Sequence, residues 1–214
     1  EYGLVDLLGN VFYSNSKPTN SFPSALNFIQ FLKEDSKIKS YHRSIKGIGI
    51  GAPNGNYFTG TIDFAPNLEW KGIIPLRDLS ENILNLPTIL TNDANAAAVG
   101  EKIFGVAKEL SDFVTITLGT GLGSGVFSNN QIMYGAHGIA GEYGHVRVIP
   151  NGRSCKCGRF GCLETYVSSS GIVRSYYELE STHKNSSLLN QLSEISAKDI
   201  FDYALRLSLI HISE

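Results

Sequence analysis

Apolar side chains recur every three or four positions in several long stretches of the chain, which is the spacing of one face of an α-helix. By this criterion the sequence predicts helices over residues 22–35, 76–84, 94–104, 163–180 and 197–207. Ser21 is the expected N-cap of the first of these helices. The helix at 94–104 is rich in alanine, and Asp93 stands at its start.

Alternating or β-branched apolar segments lie between these helices and predict strands. The predicted strands cover residues 2–6, 11–16, 44–51, 88–92, 113–118 and 145–149. Asn129 and Asn130 form the turn signal of a hairpin between 126–128 and 131–133. Strands that alternate with helices, beside hairpins, indicate an α/β protein with a mixed sheet, and the polar stretch 181–187 predicts a linker.

The composition argues against several classes of protein. The 214 residues include 18 Lys and Arg against 20 Asp and Glu, which gives a net charge of −2, and 42% of them are apolar. This balance is typical of a globular protein and not of a strongly basic nucleic-acid-binding module. The chain contains no run of about 18 consecutive apolar residues, the length that a membrane-spanning helix needs. Residues 1–20 lack the basic start and apolar core of a secretory signal.

The cysteines of the chain are Cys155, Cys157 and Cys162. An odd number of cysteines in one short loop is a poor disulfide framework but suits a metal site, and reduced thiols make the cytoplasm the expected location. Together with His145, ten residues before the first cysteine, they form a Cys3His set that suits a closed structural zinc site. The alternatives are that the cysteines are small buried residues of a loop and that His145 is an ordinary histidine.

A glycine-rich turn at 119–125 follows the predicted strand 113–118. Its backbone N–H groups, and the hydroxyl of Thr120, are candidate donors to a phosphate group. The candidate contacts are Gly119, Thr120, Gly121 and Gly123. The turn is not a Walker A motif, because no Gly-Lys-Ser/Thr follows, and not a Rossmann fingerprint, because a strand is predicted after it. An ordinary glycine-rich hairpin explains it equally well.

Carboxylates stand at two further places that suit chemistry. Asp93, after Asn92, lies where a strand gives way to a helix, so it is either a helix cap or a general base that takes a proton from a substrate hydroxyl. Glu142 and Glu164 flank the cysteine loop. If a metal closes that loop, the two carboxylates come close together and, with Asn92, suit a polyol; the alternative is that they are solvated surface charges.

Together these motifs resemble the ROK family (repressors, open reading frames and sugar kinases), and within it the bacterial glucokinases most. The segments that carry the resemblance are 49–53, 65–70, 91–98, 118–125, 141–145 and 155–164. The last of them, with its Cys-x-Cys-Gly-x-x-Gly-Cys-x-Glu pattern, is highly specific to the family. The resemblance covers most of the chain from residue 2 to about residue 179.

The resemblance implies an actin-like, hexokinase-type ATPase fold, in which two α/β lobes of ribonuclease H-like topology surround a cleft. Residues 1–108 would form the small lobe, and 109–214 a partial large lobe that contains the zinc loop. It also implies a chain truncated at both termini. The family's Asp-x-Gly-Gly-Thr phosphate motif is absent before Gly3, its last helices are absent, and residues 208–214 are expected to be a non-native tail.

The family's activity implies ATP-dependent phosphorylation of a hexose in carbohydrate metabolism, glucose to glucose 6-phosphate first among the candidates, with ATP bound as its Mg²⁺ complex. Asp93 would be the catalytic base. The implied sugar contacts are Asn92, Asp93, Glu142, His145 and Glu164, with Gly55 as a weaker one. The implied zinc ligands are His145, Cys155, Cys157 and Cys162, and the 119–123 turn would bind the nucleotide phosphates. A homodimer or homotetramer is expected.

Two alternatives remain open from the sequence. A ROK transcriptional repressor carries the same sugar domain behind an N-terminal helix-turn-helix, and only then would nucleic acid be a partner. A ROK kinase for fructose or N-acetylmannosamine would share the chemistry and differ in substrate. With part of the implied ATP site missing, the 214-residue chain by itself is expected to be inactive.

Overall fold

The chain is described by a computed structural model over residues 1–65, 68–180 and 194–212. Its contacts divide it into two compact units, one of Glu1–Thr115 with Gly125–Gly141 and the other of Ile116–Ser124 with Glu142–Glu214. The division into 1–108 and 109–214 stays a prediction, and the predicted linker at 181–187 lies outside the described residues. No helix in the described ranges is long and apolar enough to cross a membrane.

The first unit begins with the predicted hairpin, whose antiparallel strands are β1 (Tyr2–Val5) and β2 (Val11–Asn15). Helices α1 (Ala25–Glu34) and α2 (Ser36–Tyr41) follow. The expectation that Ser21 caps the first helix is wrong. Ser21 ends a short 3-10 turn, and Ser24 caps α1 by accepting a hydrogen bond from the N–H of Asn27.

The centre of the first unit is a pair of parallel strands, β3 (Ile48–Ala52) and β7 (Thr88–Asn92), with Ala52 opposite Asn92. Between them in the chain are the short antiparallel strands β4 (Gly55–Asn56), β5 (Thr61–Asp63) and β6 (Ile73–Ile74), and helix α3 (Leu76–Leu84). Helix α4 (Asp93–Ile103) starts directly after β7. The carboxyl ends of the parallel pair therefore lie side by side at the start of α4.

One core holds this unit together. Its largest fully buried side chains are those of Ile29, Ile62 and Leu90, which come from α1, β5 and β7. The buried Trp70 donates its indole N–H to the carbonyl oxygen of Phe22 at 2.9 Å. Helix and strand faces that are distant in sequence thus share one apolar interior, and this fixes the end of β7.

The strands β8 (Phe113–Leu118), β9 (Leu122–Ser128) and β10 (Gln131–Ile132) form a three-stranded sheet in the order β10-β9-β8. Asn129 and Asn130 have φ values of 50° and 61°, as the predicted hairpin turn requires. Because β9 already begins at Leu122, the glycine turn is shorter than predicted, and Gly123 belongs to a strand.

In the second unit, two expectations about the chain after residue 140 are wrong. The predicted strand 145–149 is replaced by a 3-10 turn at Tyr143–His145 and an isolated bridge between Arg147 and Cys162. The predicted helix 163–180 is divided at the extended, buried Ser168 into α5 (Glu164–Val167) and α6 (Ser169–Glu180). Helix α7 (Ala197–Ile212) runs beyond its predicted end at 207.

Candidate metal centre and active site

The structure brings the predicted metal ligands together. One ligand atom from each of His145, Cys155, Cys157 and Cys162 lies within 4.8 Å of all the others. The Nδ1 atom of His145 is 3.6 Å from Sγ of Cys155, and the sulfur atoms of Cys157 and Cys162 are 3.7 Å apart. All three cysteines are free thiols.

These distances are those of a tetrahedral site. With Zn–S bonds of about 2.3 Å and Zn–N bonds of about 2.0–2.1 Å, tetrahedral angles separate two sulfurs by about 3.8 Å and a sulfur from a nitrogen by about 3.6 Å. A disulfide would instead need two sulfurs at about 2.05 Å. The Cys3His cluster is therefore compatible with zinc.

The thiols show why a cation suits this cluster. Desolvation opposes ionisation of Cys157, but hydrogen bonds from Arg159 outweigh it and lower the pKa of Cys157 to about 6. Desolvation and the neighbouring thiols raise the pKa of Cys162 to about 11. A second thiolate, at Cys162, is therefore costly beside the first one at Cys157. A divalent cation would compensate the charge of both, because a thiol that coordinates a metal is deprotonated.

A tight backbone turn shapes the loop around the cluster. The N–H of Cys155 donates to the carbonyl oxygen of Arg159 at 2.8 Å, and the N–H of Gly161 donates to that of Arg153 at 2.8 Å. Gly161 has a φ of 77°, and an added Cβ would overlap the carbonyl oxygen of Ile149. This close approach returns Cys162 to the other two cysteines.

His145 has a second neighbour besides the thiols. Its Nε2 atom lies 3.9 Å from a carboxylate oxygen of Glu142, on the other side of the ring from the Nδ1 that faces Cys155. A histidine that binds a metal through one nitrogen presents the other as an N–H donor, and metal-ligating histidines commonly give it to a carboxylate. His145 is therefore placed to connect the metal cluster to Glu142.

The glycine turn is fixed to the helices that follow the metal loop. A carboxylate oxygen of Glu164, the first residue of α5, accepts the N–H of Leu122 at 3.1 Å. The first residue of α6, Ser169, donates its N–H to the carbonyl oxygen of Gly119 at 2.9 Å. In the part of the chain that the structure describes, the N–H groups of Thr120 and Gly121 form no hydrogen bond.

The predicted catalytic carboxylate lies at the start of α4. Asn92, rather than Asp93, is the N-cap of this helix, and its side chain accepts the N–H of Ala94 at 2.8 Å. The exposed Asp93 carboxylate accepts the same N–H at 2.9 Å. Gly55 packs closely on the carbonyl group of the residue before Asn92. Since Asn92 already caps the helix, the carboxylate of Asp93 is not required for that purpose.

The predicted sugar contacts fall into two groups. The first unit holds Gly55, Asn92 and Asp93, and the second holds Glu142, His145 and Glu164. A single sugar site formed by all six stays a prediction.

Sequence reasoning missed Asn56, the residue after Gly55. Its Nδ2 donates to the carbonyl oxygen of His137 at 3.2 Å, and the rings of Tyr57 and Tyr134 stack beside it, 4.2 Å apart and 6° from parallel. These contacts join the end of β4 to a segment 81 positions later in the chain. No local pattern could have indicated them.

Comparisons with known proteins identify relatives. The sequence matches the ROK family over residues 1–209. The glucokinase of Halalkalibacterium halodurans is 42% identical over 178 residues, which are 79% of this chain and 54% of that protein. A xylose repressor of Caldicellulosiruptor bescii is 38% identical over 176 residues, which are 79% of this chain and 44% of the repressor. The chain thus spans about half the length of the curated relatives it matches.

The fold of this chain is also similar to that of a solved ROK family protein. The ROK family glucokinase from Streptomyces griseus, in complex with glucose and AMPPNP, superposes with a TM-score of 0.71 at 34% sequence identity, over 95% of this chain and 67% of that one. The family match extends over nearly the whole chain, and the superposition covers almost all of its elements. The chain therefore belongs to the ROK family and has the actin-like, hexokinase-type fold of its sugar kinases.

Proposed function

We propose that the full-length protein containing this chain transfers the γ-phosphoryl group of ATP to a hexose, converting glucose to glucose 6-phosphate. The observation that carries the proposal is the exposed carboxylate of Asp93, which stands directly after β7 and is not needed as the cap of α4. The 42% identity to a glucokinase and the likeness to a glucokinase solved with glucose support this choice of substrate.

Asp93 acts as the general base in this proposal. It takes the proton of the sugar's primary hydroxyl while that oxygen attacks the γ-phosphorus and the bond to ADP breaks. ATP is bound as its Mg²⁺ complex, and its phosphates accept hydrogen bonds from the glycine turn. The donors are the backbone N–H groups of residues 120, 121 and 123 and the hydroxyl of Thr120. The N–H of Gly119, which was also a candidate donor, instead donates to the carbonyl oxygen of Gly121 at 3.0 Å and closes the turn.

The sugar is held by groups that match its hydroxyls. Carboxylates only accept hydrogen bonds, so Glu142 and Glu164 each accept a hydrogen bond from a sugar hydroxyl, whereas the amide of Asn92 both donates and accepts. Gly55 contacts the sugar through its backbone. His145 would donate from Nε2, since its Nδ1 faces Cys155 and a metal held there would fix the tautomer and the orientation of the ring.

Zinc is part of the proposal as a structural ion. His145 and the three cysteines would hold it, and four protein ligands are the complete set of a structural zinc site. When bound, it neutralises the thiolates and holds the loop that precedes Glu164. The proposal expects about one zinc ion per chain, and elemental analysis of protein purified without chelator measures it.

The test is ATP-dependent ADP release by the full-length protein across a panel of hexoses. Glucose is expected to give the highest kcat/KM, and Asp93→Asn, which keeps size and hydrogen bonding, is expected to lower kcat by about 10²–10⁴-fold. Glucose binding by Asp93→Asn, measured by calorimetry, controls for folding. An Asp93→Asn variant with undiminished turnover would rule out the general base.

The same assay separates the other candidates. Preference for fructose or N-acetylmannosamine would keep the chemistry and change the substrate. The similarity to a xylose repressor favours a second function, a sugar-responsive transcriptional regulator. Sugar binding without turnover by the full-length protein, together with binding of operator DNA, would support that function. The 214-residue chain alone is expected to release no ADP, since it covers about half of the kinase relatives' length.

A further inference from the structure

Arg153 is a buried charged residue at the edge of the metal loop, two positions before Cys155. Only 9% of it is exposed. Its carbonyl oxygen accepts the N–H of Gly161, so its backbone belongs to the loop. Its side chain leaves the loop and enters the space between α5 and α6.

The guanidinium group makes contacts with both helices. One terminal nitrogen donates to the carbonyl oxygens of Thr165 in α5 and Gly171 in α6, at 2.7 and 3.0 Å. The other donates to Ser175 and Glu178 of α6, at 2.9 and 2.6 Å. The guanidinium carbon also lies 4.5 Å from the ring centroid of Tyr166, whose hydroxyl accepts the N–H of Arg153 at 2.8 Å.

The two helices lead back to the candidate site. Helix α5 begins with Glu164, which binds the N–H of Leu122, and α6 begins with Ser169, which binds the carbonyl oxygen of Gly119. The metal loop, the predicted sugar carboxylate and the glycine turn are thus connected through helices that Arg153 holds to the loop.

A buried arginine is costly unless its hydrogen bonds are satisfied, and the buried Nε of Arg153 has no partner among the described residues. Replacing a buried ion pair by apolar residues is often neutral or stabilising, so burial of Arg153 is poor evidence for a gain in stability alone. The planar fork, however, reaches two carbonyl groups and two side chains at once. Lysine has three donors on a flexible stem and cannot reproduce that geometry.

We propose that Arg153 is a positioning residue that locks the loop in its metal-binding geometry by anchoring it to α5 and α6. The proposal rests on the zinc site of the proposed function. Without the anchor, the backbone around Cys155 and Gly161 is no longer fixed against the helices. The metal then leaves more easily, although none of its ligands has changed.

The experiment measures zinc release from the full-length protein to an excess of a zinc-binding dye. Arg153→Lys and Arg153→Met are expected to release zinc about 10–100-fold faster than the wild type, the range found for residues that orient metal ligands. Arg174→Met is the matched control. Arg174 binds the same carboxylate, Glu178, at 2.8 Å, but its side chain is 53% exposed and it does not contact the loop in any described interaction. It is expected to release zinc within about twofold of the wild-type rate.

The control separates geometry from charge. Both Met variants remove one positive charge and one partner of Glu178. Loss of a positive charge near a cation would by itself slow release of that cation, so faster release from Arg153→Met reports geometry. Equal release rates in the two Met variants would overturn the proposal. Circular dichroism establishes that each variant is folded under the assay conditions. If Arg153→Met does not fold, Arg153→Lys, which keeps the charge, carries the comparison.

A spectroscopic readout distinguishes positioning from a general loss of stability. Cobalt in place of zinc gives absorption bands that report its coordination geometry, and these are expected to change in Arg153→Lys and to be unchanged in Arg174→Met. A wild-type protein without zinc would overturn the metal site and this proposal together. Zinc in the wild type with unchanged release and spectra in the Arg153 variants would overturn only the role of Arg153.

Discussion

Gly161→Ala tests whether the close packing of the metal loop is required for metal binding. The residue has a φ of 77° and precedes the ligand Cys162. An added Cβ would lie far inside 3.0 Å of the carbonyl oxygen of Ile149, which is backbone and cannot turn away as a side chain could. The loop must therefore open, and Cys162 must move away from the other sulfurs.

The size of the effect follows from what the opening breaks. The left-handed conformation costs a non-glycine residue about 1–2 kcal/mol. Opening also loses the hydrogen bonds from Gly161 to Arg153 and from Val148 to Gly161, both 2.8 Å long, at about 0.5–1.5 kcal/mol each. Together these predict a loss of about 2–5 kcal/mol in the free energy of unfolding, before the lost metal is considered.

Gly158 provides the matched control three residues earlier. It has a similar φ of 85°, but nothing lies within 4 Å of an added Cβ. Gly158→Ala should therefore cost only the conformational strain of about 1–2 kcal/mol and retain zinc. Urea denaturation gives both free energies, and elemental analysis gives the metal content. Equal losses of stability with zinc retained in both variants would refute the argument from the close contact.

Three further predictions test other contacts. Cys157→Ser should abolish zinc binding, measured by elemental analysis, and lower the melting temperature, because metal binding is coupled to folding. Gly125→Ala should destabilise by about 1–3 kcal/mol, since its Cβ would lie 2.5 Å from that of Ala98, whereas Gly100→Ala, with open space in α4, should stabilise by about 0.5–1 kcal/mol; urea denaturation checks both. Desolvation opposes ionisation of Asp35, but hydrogen bonds from two backbone N–H groups and two tyrosine hydroxyls outweigh it and lower the pKa of Asp35. That stabilisation is present above about pH 4 and is lost as the pH falls, so the difference in stability between wild type and Asp35→Asn should narrow from pH 7 to pH 3; a constant difference would contradict it.

Much of the fold could be predicted from local patterns. The hairpin at the start, α3, β7 and β8 follow from the spacing of apolar residues, and the asparagine pair gave the second hairpin turn. The metal cluster could also be predicted, because three cysteines within eight residues can readily bind one metal ion together. These features depend on residues that are close together in the sequence.

The errors arose where contacts that the spacing of apolar residues does not show decide the structure. The segment 145–149 has the composition of a strand, but His145 turns towards the cysteines and only an isolated bridge forms with Cys162. The helix predicted over 163–180 breaks at Ser168, whose hydroxyl accepts the N–H of Gly171 instead of continuing the helix. Asn56 and Arg153 were missed for the same reason, since their partners are distant in the sequence.

Phosphoryl transfer by the full-length protein can be followed with an isotopic label. The full-length protein is incubated with glucose and ATP whose γ-phosphoryl oxygens carry a heavy isotope, and the products are identified by mass spectrometry. The expected product is glucose 6-phosphate with the labelled oxygens on phosphorus and an unlabelled oxygen at C6, formed by the wild type and strongly reduced in Asp93→Asn. Glucose recovered unphosphorylated from a protein that binds both glucose and ATP would contradict it.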